Sequence, residues 1–424
     1  MIIITMFGLL FLLMATGIPL AIAMALSCII ALWLGGSSIL PVFQVMWTTA
    51  DSWVLLAIPL FILAGNLMAK TSVLKRLIRF CNAILGFLPG ALAMVNVVVS
   101  MIFGGASGSA IADTAAVGST LIPAMVDEGY PLDFSAAITA ASSPIGIIIP
   151  PSIPMVFFGW VAGVSVGDLF LGGLIPGILV GVAEIIYCYI ISKRKGYRSH
   201  SRFSIKEVLE ASKGGLPALF SPVLLIGGIL FGIFTPTEAA AVCVMYTLLL
   251  GIFYRELSIK GLAQSIYSSA KTTGMVMFVA VAASAFAHII NMEGGIKLIT
   301  VFIGQFSLTP TIFLFILFVI SLLVGMFMGV NESILIVVPV LLPAMTELGV
   351  DLIHVGVVMV TALGIGLLTP PVALCTFVAS SVSGCSVEKI TKASIPFMII
   401  FIIIVTIMIL YPPIVTYIPN SLIK

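Results

Sequence analysis

The residues able to do chemistry fall in four short stretches of an otherwise apolar chain. Two are glycine-bearing turns: Gly104-Gly-Ala-Ser-Gly-Ser109 and Gly325-Met-Phe-Met-Gly-Val-Asn-Glu-Ser333. Two are proline breaks: Ser142-Ser-Pro-Ile-Gly-Ile-Ile-Ile-Pro-Pro-Ser152 and Gly364-Ile-Gly-Leu-Leu-Thr-Pro-Pro371. At such a break one helix ends and another begins. Freed carbonyls at the ends, helped by Ser and Thr hydroxyls, suit a hard cation such as Na⁺. Freed N–H groups at the starts carry partial positive charge and suit a carboxylate. A lone proline can be a mere kink filled by packing, but here the breaks occur at matched positions.

The matching comes from an internal repeat. Leu121-Ile-Pro-Ala-Met125 returns as Leu341-Leu-Pro-Ala-Met345, Pro150-Pro151 as Pro370-Pro371 and Pro176 as Pro396, each 220 residues later. Gly105/Gly325, Gly129/Gly349 and Ile145-Gly146/Ile365-Gly366 keep the register. Two related halves, each interrupted by Gly and Pro at corresponding depth, are the sequence pattern of a secondary transporter.

The elements that position these stretches are membrane helices. Hydrophobic residues make up 61% of the 424, charged residues 8%, and the mean hydropathy is +1.31. Runs such as Phe87–Met125 and Leu308–Val330 are too long for soluble cores. The first run lacks a basic leader and a small-residue cleavage site, so it reads as retained. A net charge of +2 does not suggest nucleic acid. The six cysteines form no C-x-x-C pair and have no histidine at ligand spacing, so they read as packing residues rather than a zinc or haem site.

Basic residues set the orientation. They cluster at Lys70/Lys75/Arg76/Arg79, Lys193 to Lys213, Arg255/Lys260/Lys271 and Lys389/Lys392. The positive-inside rule puts all four on the cytoplasmic side. The expected path takes 2–34 outward, with a Gly17-Ile-Pro19 kink that could make two spans of it, and brings 50–69 back. Residues 70–86 lie along the inner surface. A re-entrant hairpin (89–127) has its tip at 104–109, and a broken helix (133–163) crosses outward. Residues 167–192 return, 216–234 go out, 236–253 come back and 272–292 go out, with 293–307 outside. A second hairpin (309–348) enters from outside, a second broken helix (352–382) runs inward, and 394–417 goes out. The expected fold is therefore an all-α polytopic membrane protein, an inverted repeat with two re-entrant hairpins and two broken helices. Its expected units are scaffold and arm (1–86), transport-core unit 1 (87–166), scaffold with cytoplasmic loop and second arm (167–307), transport-core unit 2 (308–385) and a C-terminal scaffold helix (386–424).

Neither core unit carries a fixed cation: no Lys or Arg lies between Arg79 and Lys193, nor between Lys297 and Lys389. An organic anion there must be met by helix N-termini and bound cations. A neutral or cationic substrate would instead find Asp113 and Glu332. Ionisable residues at membrane depth are costly and commonly functional; equally, both acids could cap their own helix starts. Asn331 can donate or accept. Glu238, in Thr235-Pro-Thr-Glu238, reads as a cap in the scaffold.

Along its whole length the chain resembles the large membrane subunit of the tripartite ATP-independent periplasmic (TRAP) transporters, its sialic-acid members in particular. Gly105-Ala-Ser-Gly-Ser-Ala-Ile-Ala-Asp-Thr-Ala-Ala116, Ile149-Pro-Pro-Ser-Ile-Pro154, Phe234-Thr-Pro-Thr-Glu-Ala239 and Leu368-Thr-Pro-Pro371 carry the resemblance. It implies a Na⁺-driven elevator importer in the bacterial inner membrane, taking up an organic acid of the sialic acid or C4-dicarboxylate class. The implied partners are a small membrane subunit on a separate chain and a periplasmic substrate-binding protein. One implied Na⁺ lies between Ser107, Gly108, Ser109 and Ser142, Ser143, Gly146. The other lies between Gly329, Asn331 and Gly364, Gly366, Thr369. The implied substrate contacts are Ser107, Asp113, Ser152, Asn331 and Thr376. Ser107 falls opposite Phe327 at the repeat spacing, so the two cation sites need not be equivalent.

A self-sufficient Na⁺-coupled carboxylate carrier or exchanger is the alternative. An intramembrane hydrolase is disfavoured, because the cores hold no Lys and the chain has no H-E-x-x-H; His288 and His354 fall outside the tips. The absence of G-x-x-x-x-G-K-[ST] agrees with transport not powered by ATP. Two closed, matched hairpins suit alternating access better than a continuous pore.

Overall fold

The computed structural model describes residues 2–197, 203–295 and 308–422. Most of the outer connection expected at 293–307, the domain boundary at 307 and the middle of the basic loop (198–202) lie outside the described residues. The described residues form nineteen α-helices and no strand. Six helices are long and apolar enough to cross a bilayer, and one bent pair would make a seventh span. Helix is the local solution to a hydrocarbon environment in which backbone groups must bond among themselves.

The first difference from the expected path is at 2–34. Helices α1 (Ile2–Ala15) and α2 (Leu20–Leu34) form an antiparallel pair, not one outward span. Gly17 takes φ +83°, where an L side chain is strained, and Pro19 follows, so the chain reverses. The Cys28 thiol meets the Met6 sulfur at 3.7 Å, and Gly35 returns against Ile2. Residues 2 and 35 therefore share one face.

Helix α3 (Leu40–Ala50) and α4 (Ala57–Lys70) follow, with a 57° bend between them. Helix α5 (Val73–Leu85) leads to the first hairpin, α6 (Ala91–Ser107) and α7 (Ala110–Asp127). The first broken helix is α8 (Leu132–Ser142), a 3-10 turn Ser143–Ile147, and α9 (Ile153–Ala162). Helix α10 (Val166–Lys195) returns to the basic face. Then come α11 (Ile205–Leu230), α12 (Pro236–Phe253) and α13 (Ile259–Met292). The second hairpin is α14 (Pro310–Gly325) and α15 (Val330–Glu347). The second broken helix is α16 (Leu352–Gly366) and α17 (Leu374–Ser383), followed by α18 (Val387–Leu410) and α19 (Pro413–Leu422).

Contacts between distant residues give the direction of each piece. Gly90, at the base of hairpin 1, abuts Ser192 beside the basic end of α10. Tyr130, at its exit, has its ring 4.9 Å from that of Tyr197. Both ends of hairpin 1 thus lie on the basic face. The base of hairpin 2 does the reverse. Leu342, Pro343, Thr346 and Glu347 share a cavity of about 930 Å³ with Trp160 and Val161, where α9 ends, and His288 and Asn291, where α13 ends. The hairpins enter from opposite faces, so the repeat is inverted.

Helices α10 and α18 pack on the hairpin and broken-helix units. Gly173, Gly177 and Gly181, one per turn of α10, lie against Ile148, Ile149 and Met101. Tyr187 of α10 meets Phe397 of α18 with ring centroids 5.0 Å apart. Elsewhere α4 and α13 run antiparallel: the Asn66 amide donates to Ser269 Oγ at 2.8 Å, and Lys70 Nζ donates to Gln264 Oε1 at 3.3 Å. The Thr235–Glu238 cap at the start of α12 is present in full, as the sequence reading expects.

Candidate functional site

Each hairpin tip lies on its own break through glycine backbone. A Cβ on Gly104 would come within 2.7 Å of Gly146 Cα, and one on Gly366 within 2.6 Å of Gly325 Cα. No other residue type fits so close an approach. The repeat spacing pairs Gly325 with Gly105, but the contact in the first half uses Gly104. The two tips are thus one residue out of register with each other. Gly108 lies against the Pro151 carbonyl and Ile153 N–H, while the Val372 N–H donates to the Met326 carbonyl at 3.2 Å. The breaks also meet each other, because Gly364 lies against Pro144 and Ile147. The Pro150–Pro151 and Pro370–Pro371 peptide bonds of the two breaks are cis.

These contacts enclose a cavity of about 190 Å³ shared by the two halves. Hairpin 1 supplies Gly108, Ser109, Ala110 and Ile111, and hairpin 2 supplies Gly329, Val330, Asn331 and Glu332. The breaks add Ile147, Pro154, Leu367 and Leu374. Four helix starts therefore converge: Ala110 opens α7, Val330 opens α15, Leu374 opens α17 and Pro154 lies in the first turn of α9. Their partial positive charges add at one point, and no Lys or Arg lines it. The halves differ in their caps. Ser109 Oγ accepts the Ala112 N–H and Ser152 Oγ accepts that of Met155, each at 3.3 Å. Gly329 and Ala373 offer no side-chain cap, and Glu332 bends its carboxylate back toward Gly329.

Of the residues expected from sequence, Gly108, Ser109, Gly329 and Asn331 line this cavity. The Asn331 Oδ1 is buried without a hydrogen-bond partner. Ser107 lies behind the tip, its hydroxyl donating to the Gly104 carbonyl at 3.2 Å. Ser142 donates to Ser100 Oγ at 3.0 Å and Ser143 to the Thr139 carbonyl at 2.8 Å, whereas Gly146 forms the glycine contact. In the second half Gly366 forms that contact, Gly364 faces the other break, and Thr369 donates to the Ile365 carbonyl at 2.8 Å.

Asp113, Ser152 and Thr376, expected at the substrate, do not line the cavity. Ser152 is turned into its own break, where it caps α9 and donates to the Ile147 carbonyl. The Thr376 hydroxyl points back to the Leu368 carbonyl, 3.3 Å away. Asp113, in the first turn of α7, is directed at the break: a Cβ on Gly104 would lie 3.6 Å from its carboxyl carbon. It is fully buried near Gly104. Neither carboxylate oxygen holds a well-formed hydrogen bond, although the Ser143 and Ser100 hydroxyls stand beside it. A buried carboxylate with no cationic side chain and two hydroxyls at hand fits a small cation. The second tip has no such carboxylate behind it among the described residues.

Sequence reasoning did not single out the apolar liners Ala110, Ile111, Val330, Leu367 and Leu374: Val330 and Leu367 lie within the four stretches and the others adjoin them, but nothing in their side chains marks them. It also missed Asn96. This buried amide donates to Thr139 Oγ1 at 2.6 Å and accepts from Ser142 at 3.3 Å, tying hairpin 1 to α8.

Two opposed re-entrant hairpins closing on one cavity, in a chain of apolar spans, define a secondary transporter. Residues 7–414 match the family described as "Tripartite ATP-independent periplasmic transporter, DctM component", and the chain belongs to it: a multi-pass inner-membrane permease. It is 38% identical over 378 residues to the C4-dicarboxylate TRAP transporter large permease protein DctM of Pseudomonas aeruginosa, covering 89% of this chain and 88% of that one. It is 34% identical over 378 residues to the sialic acid TRAP transporter large permease protein SiaM of Vibrio cholerae, with the same coverage of each. Among solved structures, the YdaH transporter of Alcanivorax borkumensis has the same fold, with TM-score 0.60, 13% identity, and 87% of this chain and 86% of that one covered.

Proposed function

We propose that this chain is the Na⁺-coupled permease of an organic-acid importer, fed by a periplasmic binding protein and completed by a small membrane subunit. The observation that carries this reading is the shared cavity, where four helix starts meet with no basic side chain. A carboxylate is the natural occupant of such a point. The uncapped starts of α15 and α17 leave N–H groups for it, and Asn331 adds an amide. Glu332 lies in the same wall, so a substrate carrying hydroxyl or amino donors beside its carboxylate suits the cavity best. The C4-dicarboxylate and sialic acid relatives agree with an organic acid.

Na⁺ offsets the charge that the chain itself does not. Asp113, Ser143 and Ser100 would hold it behind tip 1, with carbonyls freed at the tip. Behind tip 2 the candidates are carbonyls near Gly325 and Gly366 and the Thr369 hydroxyl. The units 87–166 and 308–385 move together past the frame, and we include α10 and α18 in the moving body because both pack on it.

The test is uptake into proteoliposomes holding this chain and its small subunit, under an imposed Na⁺ gradient, with and without the binding protein. Labelled sialic acid and a C4-dicarboxylate are the substrates. Uptake that needs both Na⁺ and the binding protein is expected. Uptake without the binding protein would favour a self-sufficient carrier. In the same assay Asp113→Asn is expected to lose about tenfold or more of its Na⁺ affinity at unchanged expression, the scale of removing a charged ligand. An unchanged Na⁺ dependence removes Asp113 from the cation site.

A further inference from the structure

The crossing of α5 and α11 on the basic face has no part in the transport site. Helix α5 starts just after Lys70 and ends just before Gly90, both on that face, so it lies along the membrane surface. Leu74, Leu77 and Cys81 are buried beneath it, while Lys75 and Arg79 are exposed. Helix α11 crosses it closely. Gly214 lies against the Arg76 side chain, and a Cβ on Gly215 would come within 2.6 Å of Phe80 Cγ. The crossing leaves a cavity of about 160 Å³ lined by Arg76, Arg79, Glu210, Ala211, Lys213 and Gly214.

The charges here do not cancel. Arg76 is engaged: it pairs with Glu256 at 2.8 Å, donates from Nε to Ser72 Oγ at 2.8 Å, and sits 3.9 Å from the Tyr254 ring centre. Arg79 and Lys213 make no ion pair among the described residues. Glu210 offsets one of them, so the cavity keeps a positive surplus. Lys213 also stands within an apolar stripe of α11, where Leu209, Leu216 and Phe220 are 61%, 55% and 50% exposed. At a bilayer surface this is the arrangement of a phosphate above and acyl chains below.

We propose that this crossing binds an anionic phospholipid of the cytoplasmic leaflet, with Arg79 and Lys213 on its phosphate and Leu216 and Phe220 along its chains. A zwitterionic lipid leaves the surplus charge unmet. The bound lipid ties α5, which joins α4 to hairpin 1, to the long helix beneath it. The proposal rests on the membrane fold and is independent of what the chain transports.

The purified chain in detergent, titrated with phosphatidylglycerol, phosphatidylethanolamine or inorganic phosphate and read by native mass spectrometry, tests it. Saturable phosphatidylglycerol binding is expected, weakened about tenfold in Arg79→Gln/Lys213→Gln and within roughly twofold of wild type in the charge-matched Lys260→Gln/Lys389→Gln. All four positions are exposed, and equal melting temperatures check that the variants fold. Equal binding of phosphatidylethanolamine, or equal loss in both double variants, overturns the site. Displacement by inorganic phosphate would make it a soluble-anion site instead. Displacement by the small membrane subunit would make it a protein interface.

Discussion

Asp113 and Glu184 are both fully buried, with no well-formed hydrogen bond to either carboxylate oxygen. They differ in their surroundings. Asp113 has two serine hydroxyls beside it and a helix break at its back. Glu184 lies mid-span in α10, three residues past Gly181, with no break near it. Only the first was legible in the sequence, because the tip that precedes it is written in Gly and Ser. Glu184 is revealed only by how α10 packs. An unpaired buried charge is expensive, and an amide of the same shape avoids the expense. Glu184→Gln is therefore expected to melt at or above the wild-type temperature, by about 1 kcal/mol of added stability at most, with uptake unchanged. A stable variant without uptake would make Glu184 a coupling residue. Asn331 was legible as a polar residue at a tip, whereas the inward turn of Ser152 and Thr376 depends on helix phase that begins only where each break ends.

Among the elements, the breaks were the most readable, since Pro and Gly state where helix cannot continue. The fold-back at 2–34 was readable only as a kink, because antiparallel packing depends on the Met6–Cys28 and Ile2–Gly35 contacts, which no local pattern encodes. The glycine contacts give a direct prediction. Gly366→Ala drives a methyl into the Gly325 backbone, and Gly146→Ala does the same at Gly104, so each is expected to cost about 3 kcal/mol or more and to lower folded yield. Gly129→Ala, where nothing lies within reach but φ is +89°, costs only about 1 kcal/mol. Comparable thermal melts for all three would sink the close-contact account. At the α4–α5 corner, partial burial works against the Glu256 carboxylate. The hydrogen bonds from Ser72 and Arg76 and the Arg76 charge outweigh it and hold its pKa below the ordinary value. A depressed pKa stabilises the fold above the unfolded value and loses that stabilisation as pH falls through the folded one. The difference in melting temperature between wild type and Glu256→Gln is thus expected at neutral pH and to close on acidification below about 4.5.

For the whole molecule, the repeat and the basic clusters together gave the opposed hairpins. The shared cavity was not readable, because its walls are mostly apolar residues brought together from positions 108 to 374. Each tip rests on its break backbone to backbone, in both halves, with no side chain between them to swing aside. Such a joint has no play, and a tip without play makes a poor gate. Access to the cavity then changes by displacement of the whole paired unit against α4 and α13, rather than by peeling one hairpin open. Disulfides separate the two modes in the uptake assay. A bridge between tip and break, across Met326 and Val372, is expected to spare uptake. One from α15 to α13, across Pro339 and Ala287, is expected to stop it, and the reverse pattern would give the gating to the tips.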